Sequence, residues 1–141
     1  MAKVYLSLGS NLGNKEQNLM NAIATVGSEV GIVRRVSCFY SSEPMGFVSS
    51  NKFLNAVILL VTELSPIQLL IKIQEVEAKL GRTQKSTEGY VDRIIDIDIL
   101  LYDKELVDLP ELKIPHPKML ERDFVMIPLR EIAPDLDIFI E

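Results

Sequence analysis

Hydrophobic and polar positions change period several times along the chain, and each change marks an element. Val4, Leu6 and Leu8 alternate with Tyr5 and Ser7, the period of a half-buried strand. Gly9-Ser10-Asn11-Leu12-Gly13-Asn14 is rich in turn formers and predicts a loop. Leu19, Ala22, Ile23 and Val26 then share one helical face, predicting a helix over 15–26 with Asn14 as N-cap and Gly27 as its stop. Residues 32–40 carry Val33, Val36, Cys38 and Phe39 and read as one strand; residues 41–52, with Pro44, Gly46 and four serines, read as a long polar loop. From Ala56 the stretch 53–62 is almost continuously apolar, which predicts a central strand covered on both faces. Ser65-Pro66 is a helix start, and Leu69, Leu70, Ile73, Val76 and Leu80 follow at helical spacing up to a stop at Gly81. Residues 82–92 have no apolar period, and a loop of that length is usually functional or mobile. A strand is predicted over 94–102, a short one near 105–107, an irregular stretch over 110–117 and a helix over 122–132 before Pro134. Residues 136–140 suit a last strand or a loosely packed tail.

The order is β-α-β-β-α-β followed by a C-terminal extension. That is the split-βαβ order of an α+β, ferredoxin-like fold. Antiparallel pairing of the second and third strands puts the first two helices on one face of the sheet. The C-terminal helix is then expected on the other, giving helices on both faces. The 141 residues suit a single domain over 1–141.

Composition narrows the function classes. Hydrophobic residues are 48% and charged residues 25% of the chain, which excludes disorder as the main state. The longest apolar run, Ala56–Val61, is far short of the ~18 residues of a membrane span. One cysteine, Cys38, excludes an intrachain disulfide; with one histidine, it leaves too few soft ligands for a zinc site. Cys38 lies among small and apolar residues and is expected to be a buried or half-buried structural thiol. Met-Ala-Lys-Val-Tyr lacks the apolar stretch of a signal peptide, so the cytoplasm is the expected location. A net charge of −5 argues against a general nucleic-acid binder. It still allows a small phosphorylated ligand if some of the six arginines are concentrated in one place.

The sharpest chemical signal is Asp96 and Asp98, which interrupt the most strand-like run of the chain. In a strand they share one face, with Cβ atoms roughly 6–7 Å apart. Two carboxylates there must be solvated, paired or bound to metal. A solvent face paired with arginines is one reading. The other is Mg²⁺, which takes one or two carboxylates and leaves positions for phosphate oxygens. Arg82 and Arg93 bracket the polar loop, Arg93 three residues before Asp96, and Arg122 follows His116 by six. Arginine suits bidentate phosphate recognition. His116, between Pro115 and Pro117, reads as structural or phosphate-contacting. The Gly9–Asn14 loop has the geography of a phosphate loop but lacks the lysine and spacing of one. Phe53, Asn55 and Phe124 read as core packing or as an aromatic clamp with an amide reader.

Several segments, taken in order, resemble one known family. They are Leu8-Gly9-Ser10-Asn11-Leu12-Gly13, Tyr40-Ser41-Ser42-Glu43-Pro44-Met45-Gly46, Phe53-Leu54-Asn55-Ala56, Gly81-Arg82, and Arg93-Ile94-Ile95-Asp96-Ile97-Asp98-Ile99-Leu100. Ile114-Pro115-His116-Pro117, Arg122-Asp123-Phe124-Val125 and Pro128-Leu129 complete the set. The chain is similar over Val4–Pro134 to the 6-hydroxymethyl-7,8-dihydropterin pyrophosphokinases of folate biosynthesis. The resemblance implies transfer of the β,γ-pyrophosphoryl group of ATP to the pterin hydroxymethyl oxygen, giving AMP and the pterin diphosphate.

It also implies the site. Asp96 and Asp98 would hold two Mg²⁺ ions, and Arg82 and Arg93 would contact the phosphates as the loop 82–92 closes. Gln74, His116 and Arg122 would bind ATP as well, with the backbone near Ile99, Leu112 and Lys113 meeting adenine. Phe53 and Phe124 would sandwich the pterin. Asn55, Ser42 and the segment Pro44-Met45-Gly46 would read its polar edge. Asp98 is a candidate to assist deprotonation of the hydroxyl. The implied partners are these two small molecules, with no nucleic acid and no membrane, and the expected state is a monomer. The chain departs from the family pattern at Gln84, Val91-Asp92 and Pro117. Three rival readings remain: a ligand-binding module without turnover, another Mg²⁺-dependent phosphoryl-transfer enzyme, and an interaction domain.

Overall fold

The structure, a computed structural model, describes residues 1–43, 52–81 and 94–136. The elements are β1 (Ala2–Ser10), α1 (Lys15–Glu29), β2 (Ile32–Val36), β3 (Tyr40–Ser42), β4 (Phe53–Thr62), α2 (Pro66–Lys79) and β5 (Asp96–Tyr102). They continue with β6 (Val107–Leu109), β7 (Leu112–Ile114), a 3₁₀ turn (Met119–Glu121) and α3 (Asp123–Ile132). The main sheet runs β2-β4-β1-β5, with β3 also on β4, and every pairing is antiparallel. This is the ferredoxin-like strand order and agrees with the predicted fold class. β6 and β7 form a separate two-stranded sheet. The expected loop 82–92, the Pro44–Gly46 segment and most of the 136–140 tail lie outside the described residues.

The period-2 pattern sends apolar side chains to both faces. Val4, Leu6 and Leu8 of β1 and Ala56, Ile58 and Leu60 of β4 pack with Leu19, Ala22 and Val26 of α1 and Leu69, Ile73 and Val76 of α2. On the other face Val57, Leu59, Leu100 and Leu101 meet Met119, Val125, Leu129 and Ile132. β4 is therefore covered on both sides, as its continuous apolar run predicts. A register shift between Tyr5 and Leu6, opposite Leu101 and Ile99, lets the consecutive Leu100 and Leu101 both join the α3 side. α3 has only ten residues, about 15 Å of helix, and covers one half of its face. The other half carries Ser7, Gly9, Asn55, Asp96 and Asp98 in place of apolar residues.

Local chemistry sets the element ends. Asn14 caps α1 by accepting the Gln17 N–H at 3.1 Å. Ser65 and Gln68 form a reciprocal capping box at the start of α2, and Gly81 ends that helix.

Five expectations are corrected. Helix α1 runs past Gly27 to Glu29, because the glycine the turn requires is Gly31. A Cβ at Gly31 would lie 2.3 Å from the Val61 carbonyl oxygen, so only glycine lets this turn sit against β4. The strand expected over 32–40 is broken. Buried Ser37 donates its N–H to the Val57 carbonyl at 2.9 Å, and its hydroxyl accepts the Val57 N–H at 2.9 Å, replacing one ladder step by a side chain. Beyond that break Cys38 is exposed rather than buried, and its N–H donates to the Glu131 carboxylate. The short strand expected at 105–107 falls at Val107–Leu109. Its partner Leu112–Ile114 lies in the stretch read as irregular.

Gly31→Ala should lower unfolding stability by about 1–3 kcal/mol, the usual range for overpacking, read as a shift in urea midpoint at constant m-value. Gly27→Ala should not, because a Cβ there meets Val33 at an ordinary 3.6 Å.

Candidate active site

Three adjacent strands place the polar half of the sheet face. In register, Asn55 of β4 faces Gly9 of β1, and Gly9 faces Asp96 of β5. One row further on, Ser7 stands between Val57 and Asp98. Asp96 and Asp98 thus share a face, two residues apart, and both are half-buried. Gly9 keeps the row open: a Cβ there would come within 3.2 Å of Asn55 Oδ1 and 3.5 Å of the Phe53 ring.

The start of α3 supplies the opposite wall. Arg122, 7% exposed, lies with its guanidinium carbon 5.6 Å from the centre of the Phe124 ring, within cation–π range. Ser7, Gly9, Ser42, Glu43, Phe53, Asn55, Asp96, Asp98, Arg122 and Phe124 together line one cleft that opens to solvent. The lining joins two aromatic rings, Phe53 and Phe124, to two carboxylates, Asp96 and Asp98, with the Arg122 cation beside Phe124.

Asn55 is fixed in orientation. Its side-chain amide donates to the Tyr40 carbonyl at 3.0 Å and to the Ser42 hydroxyl at 2.8 Å. Both N–H bonds are therefore directed at β3, and Oδ1 is turned towards Gly9. The residue is 3% exposed, so this orientation is held by buried hydrogen bonds.

His116 follows β7 and is tied to the outer edge of β5 by its N–H, which donates to the Leu100 carbonyl at 2.9 Å. Its Nδ1 accepts the Lys118 N–H at 3.2 Å, so the neutral ring carries its proton on Nε2. Burial, and then the Arg122 charge, pull its pKa down to about 4 against an opposing pull from Asp96. The imidazole is neutral near pH 7.

Of the residues singled out in the sequence, the structure gathers Ser42, Phe53, Asn55, Asp96, Asp98, Arg122 and Phe124 in the cleft. His116 stands within electrostatic reach of Arg122 and Asp96. Gln74 is half-buried on α2 and does not line the cleft. The side chains of Ile99 and Leu112 are buried in the α1/α2 core, leaving their backbones as the groups a ligand can meet. Lys113 points outward and pairs with Asp108. Arg82, Arg93, Pro44, Met45 and Gly46 lie outside the described residues. Three groups were not singled out as site residues: Ser7 and Glu43 in the lining, and Glu77, buried on α2 with its carboxylate on the Ile97 N–H. Ser7 was legible as the position one step from Gly9 on the same strand face. Glu77 reads as an ordinary helix-surface charge, and only the fold shows it inside.

A family model described as 7,8-dihydro-6-hydroxymethylpterin-pyrophosphokinase matches residues 5–134. A 2-amino-4-hydroxy-6-hydroxymethyldihydropteridine pyrophosphokinase of Porphyromonas gingivalis is 52% identical over 136 residues, covering 95% of this chain and 92% of that one. The proteins of the same name from Aquifex aeolicus and Bacillus subtilis are 42% and 38% identical, over 96% and 94% of this chain and 83% and 79% of theirs. Among solved structures, wild-type Plasmodium falciparum HPPK-DHPS superposes with a TM-score of 0.78 at 16% identity. The match covers 99% of this chain and 39% of that longer one, a likeness of fold.

The depressed pKa gives stability a defined pH dependence. The unfolded chain protonates His116 near 6.5, whereas the folded chain holds it neutral down to about 4. Its contribution is fully present above pH 6.5 and is lost as pH falls through that window, with no further loss below. His116→Asn should flatten stability against pH between those values in urea denaturation, and the imidazole NMR signal should show no titration between pH 5.5 and 8.

Proposed function

The chain belongs to the 7,8-dihydro-6-hydroxymethylpterin-pyrophosphokinase family, an enzyme family of folate biosynthesis, and on that premise we propose how its cleft carries the reaction. The β,γ-pyrophosphoryl group of ATP passes to the hydroxymethyl oxygen of 6-hydroxymethyl-7,8-dihydropterin, and AMP and the pterin diphosphate leave. The observation that carries this reading is that one cleft brings two aromatic rings together with a pair of carboxylates on one strand face.

A flat heterocycle would stack on Phe53 and Phe124, which gives affinity without directional bonds. Asn55 Oδ1, held in place by β3, accepts from a ring N–H or amino group, and Ser42 and the Pro44-Met45-Gly46 segment complete the polar edge. The pterin hydroxymethyl group then points along the sheet towards Asp98 and Asp96.

Those two carboxylates suit Mg²⁺: hard oxygen donors, one strand face, both half-buried in a shared cleft. When bound there, Mg²⁺, two ions in the full proposal, supplies charge neutralisation of the polyphosphate and acidifies the attacking hydroxyl. The side chains do the rest. Arg122 lies in the cleft wall as a buried cation and offers its guanidinium to phosphate oxygens. Arg82 and Arg93 are assigned phosphate contacts as well, and Gln74 an ATP contact. His116, neutral with its proton on Nε2, donates a hydrogen bond there without adding charge. Ile99 turns its backbone to the outer edge of β5, where, with the backbone of Leu112 and Lys113, it meets adenine. Asp98 accepts the hydroxyl proton in the step where the oxygen attacks. Phosphoryl-type transfer is mostly positioning and electrostatics, and this arrangement needs no protein nucleophile.

No helix among the described residues is long and apolar enough to cross a membrane. The proposal sets the enzyme in the cytoplasm as a single-domain monomer acting on these two small molecules, with no nucleic-acid partner.

The test is product analysis with ATP, Mg²⁺ and the dihydropterin. AMP formed only when all three are present supports the reading; ADP, or AMP without pterin, overturns it. Asp96→Ala and Asp98→Ala should each lower kcat at least about a hundredfold, equivalent to about 3 kcal/mol of transition-state stabilisation, with the far-UV spectrum unchanged. Phe124→Ala should raise the KM for pterin about tenfold, with a smaller effect on the KM for ATP.

A further inference from the structure

Among the described residues β5 pairs with β1 alone, so its outer edge presents backbone groups that need partners once buried. Ile97 stands between the two aspartates and is 5% exposed. Its N–H is turned away from β1 and donates to Glu77 Oε2 at 2.8 Å. Glu77 is itself 5% exposed, on the same stretch of α2 that sends Ile73 and Val76 into the core. A carboxylate held on a packed helix is therefore fixed against one peptide group of the edge strand.

That peptide group is the one joining Asp96 to Ile97. Its orientation sets the direction of the Asp96 side chain relative to Asp98. Asp96 is the first residue of β5, the end at which a strand frays. Its cross-strand neighbour is Gly9, which has no side chain to brace it. A charge-assisted hydrogen bond is stronger than a neutral one, and this one comes from the layer behind the sheet, leaving the cleft side clear.

We propose that Glu77 is a positioning residue: by accepting the Ile97 N–H it fixes the spacing and direction of the Asp96–Asp98 pair. The inference rests on the reading of that pair as the metal-holding carboxylates. Groups that orient metal ligands typically change affinity by about 10–100-fold when removed, and Glu77 acts here on the backbone between the ligands.

The test uses the full chain with Glu77→Gln, Glu77→Leu and Glu77→Asp. Glutamine keeps an acceptor oxygen at the same reach. Leucine removes it, and aspartate withdraws it by one methylene while keeping the charge. Two readouts are taken: hydrogen exchange at the Ile97 amide in metal-free protein, and the Mg²⁺ concentration giving half-maximal AMP formation. In E77L and E77D the Ile97 amide should exchange at least about tenfold faster, while amides between β1 and β4 keep their protection. The Mg²⁺ half-saturation should rise about tenfold with the KM for pterin unchanged within twofold, and E77Q should stay within about threefold of wild type. If E77L does not fold, E77D carries the same expectation. Faster exchange at Ile97 with an unchanged Mg²⁺ half-saturation would overturn the inference and leave Glu77 a fold anchor only. A wild-type enzyme indifferent to Mg²⁺ would overturn the metal reading, and this inference with it. A Mg²⁺-dependent wild type beside E77D with an unchanged half-saturation overturns the Glu77 inference alone.

Discussion

β1 is held on both sides, by β4 and β5, and its register with them decides where every group of the cleft lies. Gly9 stands between Asn55 and Asp96, and Ser7 between Val57 and Asp98. A slip of one residue against either neighbour would send one set of side chains to the opposite face. The aspartates would then enter the apolar layer under α1 and α2, and Ile97 would enter the cleft. The wholly buried Val4, Leu6 and Leu8 make such a slip costly, so the packing of one face fixes the chemistry of the other.

The second face is divided between core and cleft by a helix too short to cover it. Val125, Leu129 and Ile132 of α3 seal the half containing Val57, Leu59, Leu100 and Leu101. The same helix begins at the boundary, which sets Arg122 and Phe124 over the uncovered half. The opposite end is secured by Arg35, which donates to the Ile132 carbonyl at 2.6 Å, and by Glu131, which accepts the Cys38 N–H. Stability and site geometry are therefore not separable here: losing the α3 contacts would remove one wall of the cleft.

Much of this was legible in the sequence, for identifiable reasons. The long periodic elements, β1, β4, α1 and α2, follow from side-chain spacing, and Asn14 and Ser65 announce helix starts through their own hydrogen bonds. Asp96 and Asp98 were conspicuous because charge in an apolar strand needs a reason. What pattern reading missed was decided by tertiary contact. Gly27 resembled a helix stop, yet only Gly31 meets a carbonyl that forbids a side chain. Ser37 ends a strand by substituting its hydroxyl for a ladder bond, which no periodicity reports. Leu112 and Ile114 alternate with Lys113 in a strand-like way, but three residues between prolines are too few to stand out. Glu77 is one glutamate among several on a helix until the fold shows the amide it faces.

The fixed amide of Asn55 makes that wall of the cleft one-signed. Both of its donors are engaged by Tyr40 and Ser42, and turning the group over would set Oδ1 against the Tyr40 carbonyl oxygen, two acceptors with no proton between them. A guest that brings a donor to Oδ1 is accepted as it stands. A guest of the same outline that brings a lone pair meets another lone pair and has no means of inducing a response. On the proposed reading, discrimination between heterocycles of nearly identical shape rests on a short strand on the far side of β4, through the hydrogen bonds by which Tyr40 and Ser42 hold the Asn55 amide.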